Sequence, residues 1–286
     1  MNFEKEKLIK SPLNYTGGKF KLLPQILPLF PENIDTFIDL FSGGCNVGIN
    51  VEVNKVICND ILTSVVHLMD ELKKIDSDTA LKSIDKIINE YKLSKTNEEG
   101  YKRLREDYNL GKREWDMFYT MICYSFNYQI RFNKNSEFNI PFGKNRSSFN
   151  DSLRNKFKLF VEKLNKINIE FMNKDFKEIS MENLNNNDFI YCDPPYLITC
   201  ASYNENNGWN QNKEVELLNY LDRANERGIK FALSNVLENK GKSNDILKEW
   251  AKKYNIHYLN NTYGHCSYHT KDRSNNSTIE VLVTNY

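Results

Sequence analysis

The chain has 286 residues, 40% of them hydrophobic and 27% charged, with a formal net charge of +1. That length accommodates one large core, or one core with a smaller inserted module. Near-neutrality excludes binding a polyanion by overall attraction, so such a contact needs a local basic patch.

Met1 to Lys10 alternates charged and apolar residues and lacks the apolar core of a signal peptide. No apolar run approaches the roughly 20 residues needed to cross a bilayer. Six cysteines, at 45, 58, 123, 192, 200 and 266, include no CxxC pair, so they form neither a disulfide framework nor a zinc ribbon. The expectation is a cytoplasmic protein with reduced thiols and no membrane partner.

In chain order, residues 34–41 (IDTFIDLF) read as a buried strand entering the turn Ser42-Gly43-Gly44. A helix is predicted from Asn46 to about Asn54. A second strand, Lys55 to Cys58, ends at Asn59-Asp60. Strand, glycine turn, helix, strand and acid in that order open a Rossmann-like α/β sheet, in which the acid reaches ribose hydroxyls. From Leu62 to about Leu93 the pattern is helical and amphipathic, with Val65, Leu68, Met69 and Leu72 on one face.

The stretch from about 97 to 155 is aromatic and basic. Within it, Tyr128 to Phe132 and Glu137 to Ile140 flank the turn-prone Asn133-Lys134-Asn135-Ser136 and read as a β-hairpin. Strands resume at Ile167 to Met172, Asp188 to Cys192 and Ile229 to Ser234. A helix from Glu214 to Arg227 closes at Gly228, another runs from Asp245 to Tyr254, and Ile256 to Leu259 pairs with Thr278 to Thr284. The layout is an α/β catalytic domain made of 1–62 and 156–286, interrupted by a helical and hairpin-bearing module at 63–155.

The sharpest chemical signal is Asp193-Pro194-Pro195-Tyr196, at the end of the predicted strand Phe189 to Cys192. The prolines remove two backbone donors and stiffen the turn. A carboxylate, a donor-free carbonyl run and an aromatic ring therefore converge. They suit a planar exocyclic amine, its hydrogens held by Asp193 and the Pro194 carbonyl while Tyr196 stacks on its face. The bland alternative is an Asp-Pro turn with an incidental tyrosine.

The glycine turn Phe41 to Asn46 is weak alone, but Asp39 before it and Asp60 after it favour a nucleoside-bearing cofactor. Neither a Walker lysine nor a full GxGxxG is present, which argues against phosphate-dominated ligands. S-adenosyl-L-methionine has ribose, adenine and amino-acid ends without phosphate, and fits. His265, Cys266 and His269 raise zinc, but four ligands are wanted and no partner pair lies nearby in sequence, so no metal is assigned.

Taken together, these motifs resemble the Dam-type DNA adenine-N6 methyltransferases, with the cofactor motif ahead of the catalytic one, over nearly the whole chain. Ser11 to Lys19 (SPLNYTGGK) is similar to that family's N-terminal aromatic-x-Gly-Gly-Lys motif, which implies that Tyr15 and Lys19 line the methionine end of the cofactor. Asp39, Phe41 and Gly43 match the glycine-turn motif and Asp60 the acid after it. Phe138 to Gly143 (FNIPFG) matches the end of the family's hairpin. Asn173-Lys174-Asp175-Phe176 is similar to the loop that closes over the cofactor adenine.

The resemblance implies a methyl group moved from S-adenosyl-L-methionine to N6 of a flipped adenine in double-stranded DNA. A protein that modifies one adenine at a time has no need of a dimer, so a monomer is expected. It also makes the hairpin region a target-recognition module. Arg131 is then the candidate guanine reader, with Asn127, Asn133 and Asn139 beside it, while Lys134, Lys144 and Arg146 bind phosphates.

Two departures stand out: Tyr15 where the family often has Trp, and Cys45 where its last turn glycine often falls. Both bring the chain nearer to modification methylases of restriction systems, whose functional partner is a cognate endonuclease, than to GATC maintenance enzymes. The rival readings are methylation of RNA adenine or of a protein amide, and a non-catalytic DNA-binding protein on the same fold. Protein glutamine methylases usually carry Asn before Pro-Pro-Tyr, and Asp193 argues against that rival.

Overall fold

The computed structural model describes residues 8–15, 17–199, 208–260 and 278–286. His265, Cys266 and His269 lie outside the described residues, as do Cys200 and Thr16.

Among the described residues, eight strands form one sheet: β1 (Thr36–Asp39), β2 (Lys55–Asn59), β3 (Ile169–Met172), β4 (Phe189–Cys192), β5 (Lys230–Asn239), β6 (Lys242–Ser243), β7 (Asn255–Leu259) and β8 (Thr278–Thr284). The order across the sheet is β3-β2-β1-β4-β5-β8-β7, with the short β6 paired to β5. The first five are parallel, whereas β8 is antiparallel to both β5 and β7. The chain winds outward from β1 to β2 and β3, then returns to β4 and winds the other way. That reversal opens a crevice at the carboxyl ends of β1 and β4, the topological switch point at which such sheets bind ligands.

The strands are buried on both faces, and residue parity sorts the faces. Phe37, Phe189, Tyr191 and Ala232 belong to one hydrophobic cluster, Ile38, Ile190, Cys192 and Phe231 to the other. Behind the second face pack α7 (Gln211–Glu226) and α8 (Asp245–Ala251). On the first face lie a short N-terminal helix, α1 (Leu23–Ile26), and the helices between β2 and β3: α2 (Thr63–Lys74), α3 (Ser77–Glu90), α4 (Glu98–Asn109), α5 (Trp115–Tyr124) and α6 (Asp151–Leu164). One continuous cluster runs from Phe37, Val56 and Ile169 of the sheet through Val65 and Leu68 of α2 to Phe118 of α5 and Phe157 of α6.

The long helical pattern after Leu62 is two helices, because Asp76 ends one and caps the next: its side chain accepts from the N–H groups of Asp78 and Thr79. Asn210 likewise starts α7 earlier than the pattern predicts, and Gly228 (φ +73°) closes it as expected.

Two expectations need correction. Residues 46–54 hold only a 3-10 turn at Gly48–Asn50, not a helix. The polar side chains there anchor the N-terminal segment instead: Asn50 exchanges two hydrogen bonds with the backbone of Ile9, and Asn46 Oδ1 accepts from the Ser11 N–H. The hairpin at 128–140 is a paired loop rather than two strands, held by isolated bridges Ser125–Phe142 and Phe132–Phe138. Left-handed Asn127 and Tyr128 (φ +55° and +57°) interrupt any regular ladder.

Candidate active site at the switch point

Parity places the functional side chains. Asp39, at the end of β1, shares the face of Phe37; Asp193, just past β4, continues the row of Phe189 and Tyr191. On β5 and β8 the same row carries Ser234 and Glu280 through the antiparallel register. Across this row lies Lys19, from a 3-10 turn (Lys19–Leu22) that follows left-handed Gly17.

The Lys19 ammonium is 2.8 Å from Asp193 Oδ1 and 3.5 Å from Glu280 Oε1, and its side chain is 3% exposed. It lies 4.8 Å from the centroid of the Tyr196 ring. The Tyr196 hydroxyl is 2.9 Å from Asp193 Oδ1 and 3.2 Å from Glu280 Oε1. Both contacts to Asp193 therefore fall on one carboxylate oxygen. Among the described residues no hydrogen bond or ion pair falls on Oδ2, and 19% of this side chain is exposed.

Burial raises the Asp193 carboxyl above its usual range, and the neighbouring Lys19 charge opposes that rise. Burial acts on Lys19 in the opposite sense, but Asp193 and Glu280 outweigh it and keep its affinity for the proton above that of an ordinary lysine. Burial, with the Asp193 charge behind it, pushes Asp39 well up.

The cofactor candidates meet in the same crevice. Tyr15 lies flat against the glycine turn: a Cβ built on Gly43 would sit 3.4 Å from its ring, and Gly43 has φ +47°. Asp60 grips that turn, accepting the Gly43 N–H at 2.8 Å on one oxygen and the Leu62 N–H at 2.9 Å on the other. Phe41 and Phe176 face each other at 5.5 Å between centroids, and Asp175 caps the 3-10 turn that carries Phe176.

Among the described residues, Asp39 Oδ1 and Tyr15 Oη are buried without a hydrogen-bond partner, as is Tyr191 Oη. Such orphans are costly unless a ligand satisfies them. A carboxyl group, a hydroxyl and an aromatic pair without a phosphate cradle fit an amino-acid nucleoside such as S-adenosyl-L-methionine.

Three residues went unnoticed in the sequence. Trp209 stands 5.5 Å from Phe41 and 6.0 Å from Phe176, completing an aromatic box. Asn59 staples two loops, donating to the carbonyls of Leu40 and Lys174 and accepting from the Lys174 N–H. Glu280 is 5% exposed behind Lys19 and Tyr196.

The candidate DNA contacts lie apart from this cluster, joined to it by Asn14, whose amide donates to the Asn127 carbonyl. Arg131 is exposed, its Nε 2.8 Å from Asn139 Oδ1 and one terminal nitrogen 3.2 Å from the Asn139 carbonyl. Asn133 spends its side chain on its own loop, bonding Glu137 and the N–H groups of Asn135 and Glu137. Lys134, Lys144 and Arg146 are exposed, with Arg146 over the Phe126 ring at 5.2 Å. No group of metal-binding side chains occurs among the described residues. No helix among them is long and apolar enough to cross a membrane.

The sequence profile of the D12 class N6 adenine-specific DNA methyltransferases matches residues 15–264. The chain is 52% identical to the type II methyltransferase M.FokI of Planomicrobium okeanokoites over 282 residues, which is 97% of this chain and 43% of that protein. It is 47% identical to the modification methylase StsI of Streptococcus sanguinis, over 98% of this chain and 43% of that protein. The chain thus spans less than half the length of these two relatives. It is also 24% identical to the DNA adenine methylase of Escherichia coli K12, over 86% of both chains. Profile, motif order and a mostly parallel sheet with its acids at the switch point agree, and this chain belongs to the D12 class N6 adenine-specific DNA methyltransferase family.

Proposed function

We propose that this chain transfers a methyl group from S-adenosyl-L-methionine to N6 of adenine in double-stranded DNA, as the modification activity of a restriction–modification system. The observation that carries the reading is the asymmetry of Asp193. Lys19 and Tyr196 occupy one carboxylate oxygen and leave the other for an incoming amine.

The lone pair of an adenine amine is conjugated into the ring, so the amine is a poor nucleophile as it stands. Asp193 Oδ2 and the Pro194 carbonyl take its two N–H groups and draw the nitrogen toward tetrahedral geometry, which frees the lone pair. Tyr196 holds the base by its face, and the base must leave the duplex stack to reach it. When bound, S-adenosyl-L-methionine supplies a methyl group on a positively charged sulfur that departs as a neutral thioether. Asp39 and Lys19 hold the amino-acid end of the cofactor, with Tyr15 alongside. Asp60 takes the ribose hydroxyls, and Phe41, Phe176 and Asp175 hold the adenine.

The amine nitrogen sheds one proton as its new bond to carbon forms, and the Asp193 carboxylate is the nearest acceptor. No covalent link to the enzyme is needed. Cys45, Cys58, Cys123 and Cys192 are all buried; burial pushes the Cys123 thiol up to about 12 and raises Cys58 and Cys192 well above the ordinary thiol range.

Residues 63–155 serve as the recognition module. Arg131, steadied by Asn139, reads guanine, with Asn127 and Asn133 beside it, and Lys134, Lys144 and Arg146 contact phosphates. The protein acts as a cytoplasmic monomer, and a cognate restriction endonuclease is its functional counterpart.

The test is to express the chain in a methylation-deficient host and map N6-methyladenine in the host DNA by long-read sequencing. The wild type marks adenine in one sequence context and Asp193→Ala leaves the DNA unmarked. An unmarked genome with folded wild-type protein, or marking retained by Asp193→Ala, overturns the proposal.

A further inference from the structure

Glu280 is a buried carboxylate that the proposed chemistry does not use, although it faces three groups that the chemistry does use. It comes from β8, 84 residues beyond Tyr196 in sequence. Its side chain is 5% exposed, its Oε1 lies 3.2 Å from the Tyr196 hydroxyl and 3.5 Å from the Lys19 ammonium, and the same two groups contact Asp193 Oδ1. Burying a second acid beside Asp193 is unfavourable unless its interactions offset the loss of hydration. Fold stability alone offers no reason for it, since Leu282, which shares its face of the same strand, is apolar and fully buried.

We infer that Glu280 is a positioning residue for the amine-gripping site, holding Lys19 and Tyr196 from behind so that both bear on Asp193 Oδ1 and Oδ2 stays open to the target amine. The inference rests on the methyl-transfer reading above.

The geometry explains why a second acid is needed. With Asp193 as its sole anion, the Lys19 ammonium is free to straddle both carboxylate oxygens and block the amine. A second anion 3.5 Å away draws the ammonium back and pins it to the near oxygen. The Tyr196 hydroxyl is fixed in the same manner, between two acceptors rather than one. Ser234, 3.4 Å from that hydroxyl, closes the remaining side. Glu280 itself touches neither amine nor methyl group, so its removal alters the rate of the chemical step more than the binding of either ligand.

The experiment compares wild type, Glu280→Gln and Glu280→Ala by single-turnover methylation of DNA at saturating cofactor. S-adenosyl-L-methionine affinity and melting temperature are measured alongside. The expected result is a methylation rate about 100-fold lower for Glu280→Ala and about 10-fold lower for Glu280→Gln, which keeps an acceptor for Tyr196 but loses the charge on Lys19. Cofactor affinity, which Lys19 shares in, falls by less than the rate in both.

A Glu280→Ala rate within about threefold of wild type overturns the inference. So does a rate loss matched by equal losses of cofactor affinity and melting temperature in the isosteric Glu280→Gln, which marks a structural role only. An inactive wild type that still binds cofactor overturns the methyl-transfer reading, and the inference with it; active wild type with indifferent Glu280 variants overturns the inference alone.

Discussion

Burial lowers the proton affinity of Lys19, and the two acids beside it more than reverse that effect. The same ammonium acts on Asp193 in return. Burial raises that carboxyl and Lys19 partly restores it, so the group titrates above the ordinary aspartate value of 3.8. A carboxylate must be ionised to accept the amine's hydrogens, so methylation weakens as pH falls through the raised value. Lys19→Gln removes the opposing charge and lets burial act unchecked, which moves the acid limb of the rate–pH profile to higher pH. Single-turnover rates across the acid range check this; an acid limb that stays put or moves lower dissociates Lys19 from Asp193. Asp193 and Tyr196 stand out in the sequence because their local pattern has a specific chemistry, and Lys19 through the resemblance of Ser11 to Lys19 to a known motif; the structure brings the three together. Glu280 does not stand out, because one acid in Thr-Ile-Glu-Val reads as the solvent face of an alternating strand. Only the sheet order, with β8 between β5 and β7, turns that face inward.

At the scale of the element, strands and most helices could be read from period and caps, while the glycine turn could not. The turn reads as the entry to a helix, and 46–54 is instead a compact irregular crossing whose side chains bind the N-terminal segment. Close approach decides the matter. A Cβ at Gly48 would meet Cys58 Sγ at 2.7 Å and both Cys45 Sγ and Val56 Cγ1 at 3.3 Å, all fully or nearly buried. This glycine lets the crossing lie directly on β2, a contact that period and propensity cannot reveal. Gly48→Ala forces a methyl group into that contact and costs about 1–3 kcal/mol. A melting temperature several degrees lower is the expected reading, since about 1 kcal/mol moves the midpoint by roughly 2–4 °C in a chain of this size class. An unchanged midpoint means that the turn retreats without penalty and that its tight fit does not hold the site. The hairpin was half legible: its turn residues were, and the left-handed pair Asn127-Tyr128 that breaks the ladder was not.

At the scale of the whole molecule, a net charge of +1 leaves little general attraction to DNA, so the proposed phosphate contacts fall to a few exposed cations. Lys144 and Arg146 are both exposed, and Arg146 rests on the Phe126 ring rather than on an acid. A cation held by an aromatic face keeps its charge available, whereas surface pairs such as Lys74 with Asp70 and Glu71 are already committed. Each phosphate contact contributes about 0.9 to the slope of log affinity against log salt on duplex DNA. The double variant Lys144→Ala, Arg146→Ala therefore flattens that slope by about 2 and weakens cognate and random duplexes alike. Arg131→Ala behaves differently if its guanidinium reads a base: it costs about 1–3 kcal/mol at the cognate site and spares random DNA. Affinities at several salt concentrations, on both kinds of duplex, separate the two. Equal losses on both duplexes for Arg131→Ala would reassign Arg131 to the backbone. An unaltered salt slope for the double variant would move the phosphate-binding surface away from the loop beside Phe126, and with it the direction from which DNA approaches the Asp193 crevice.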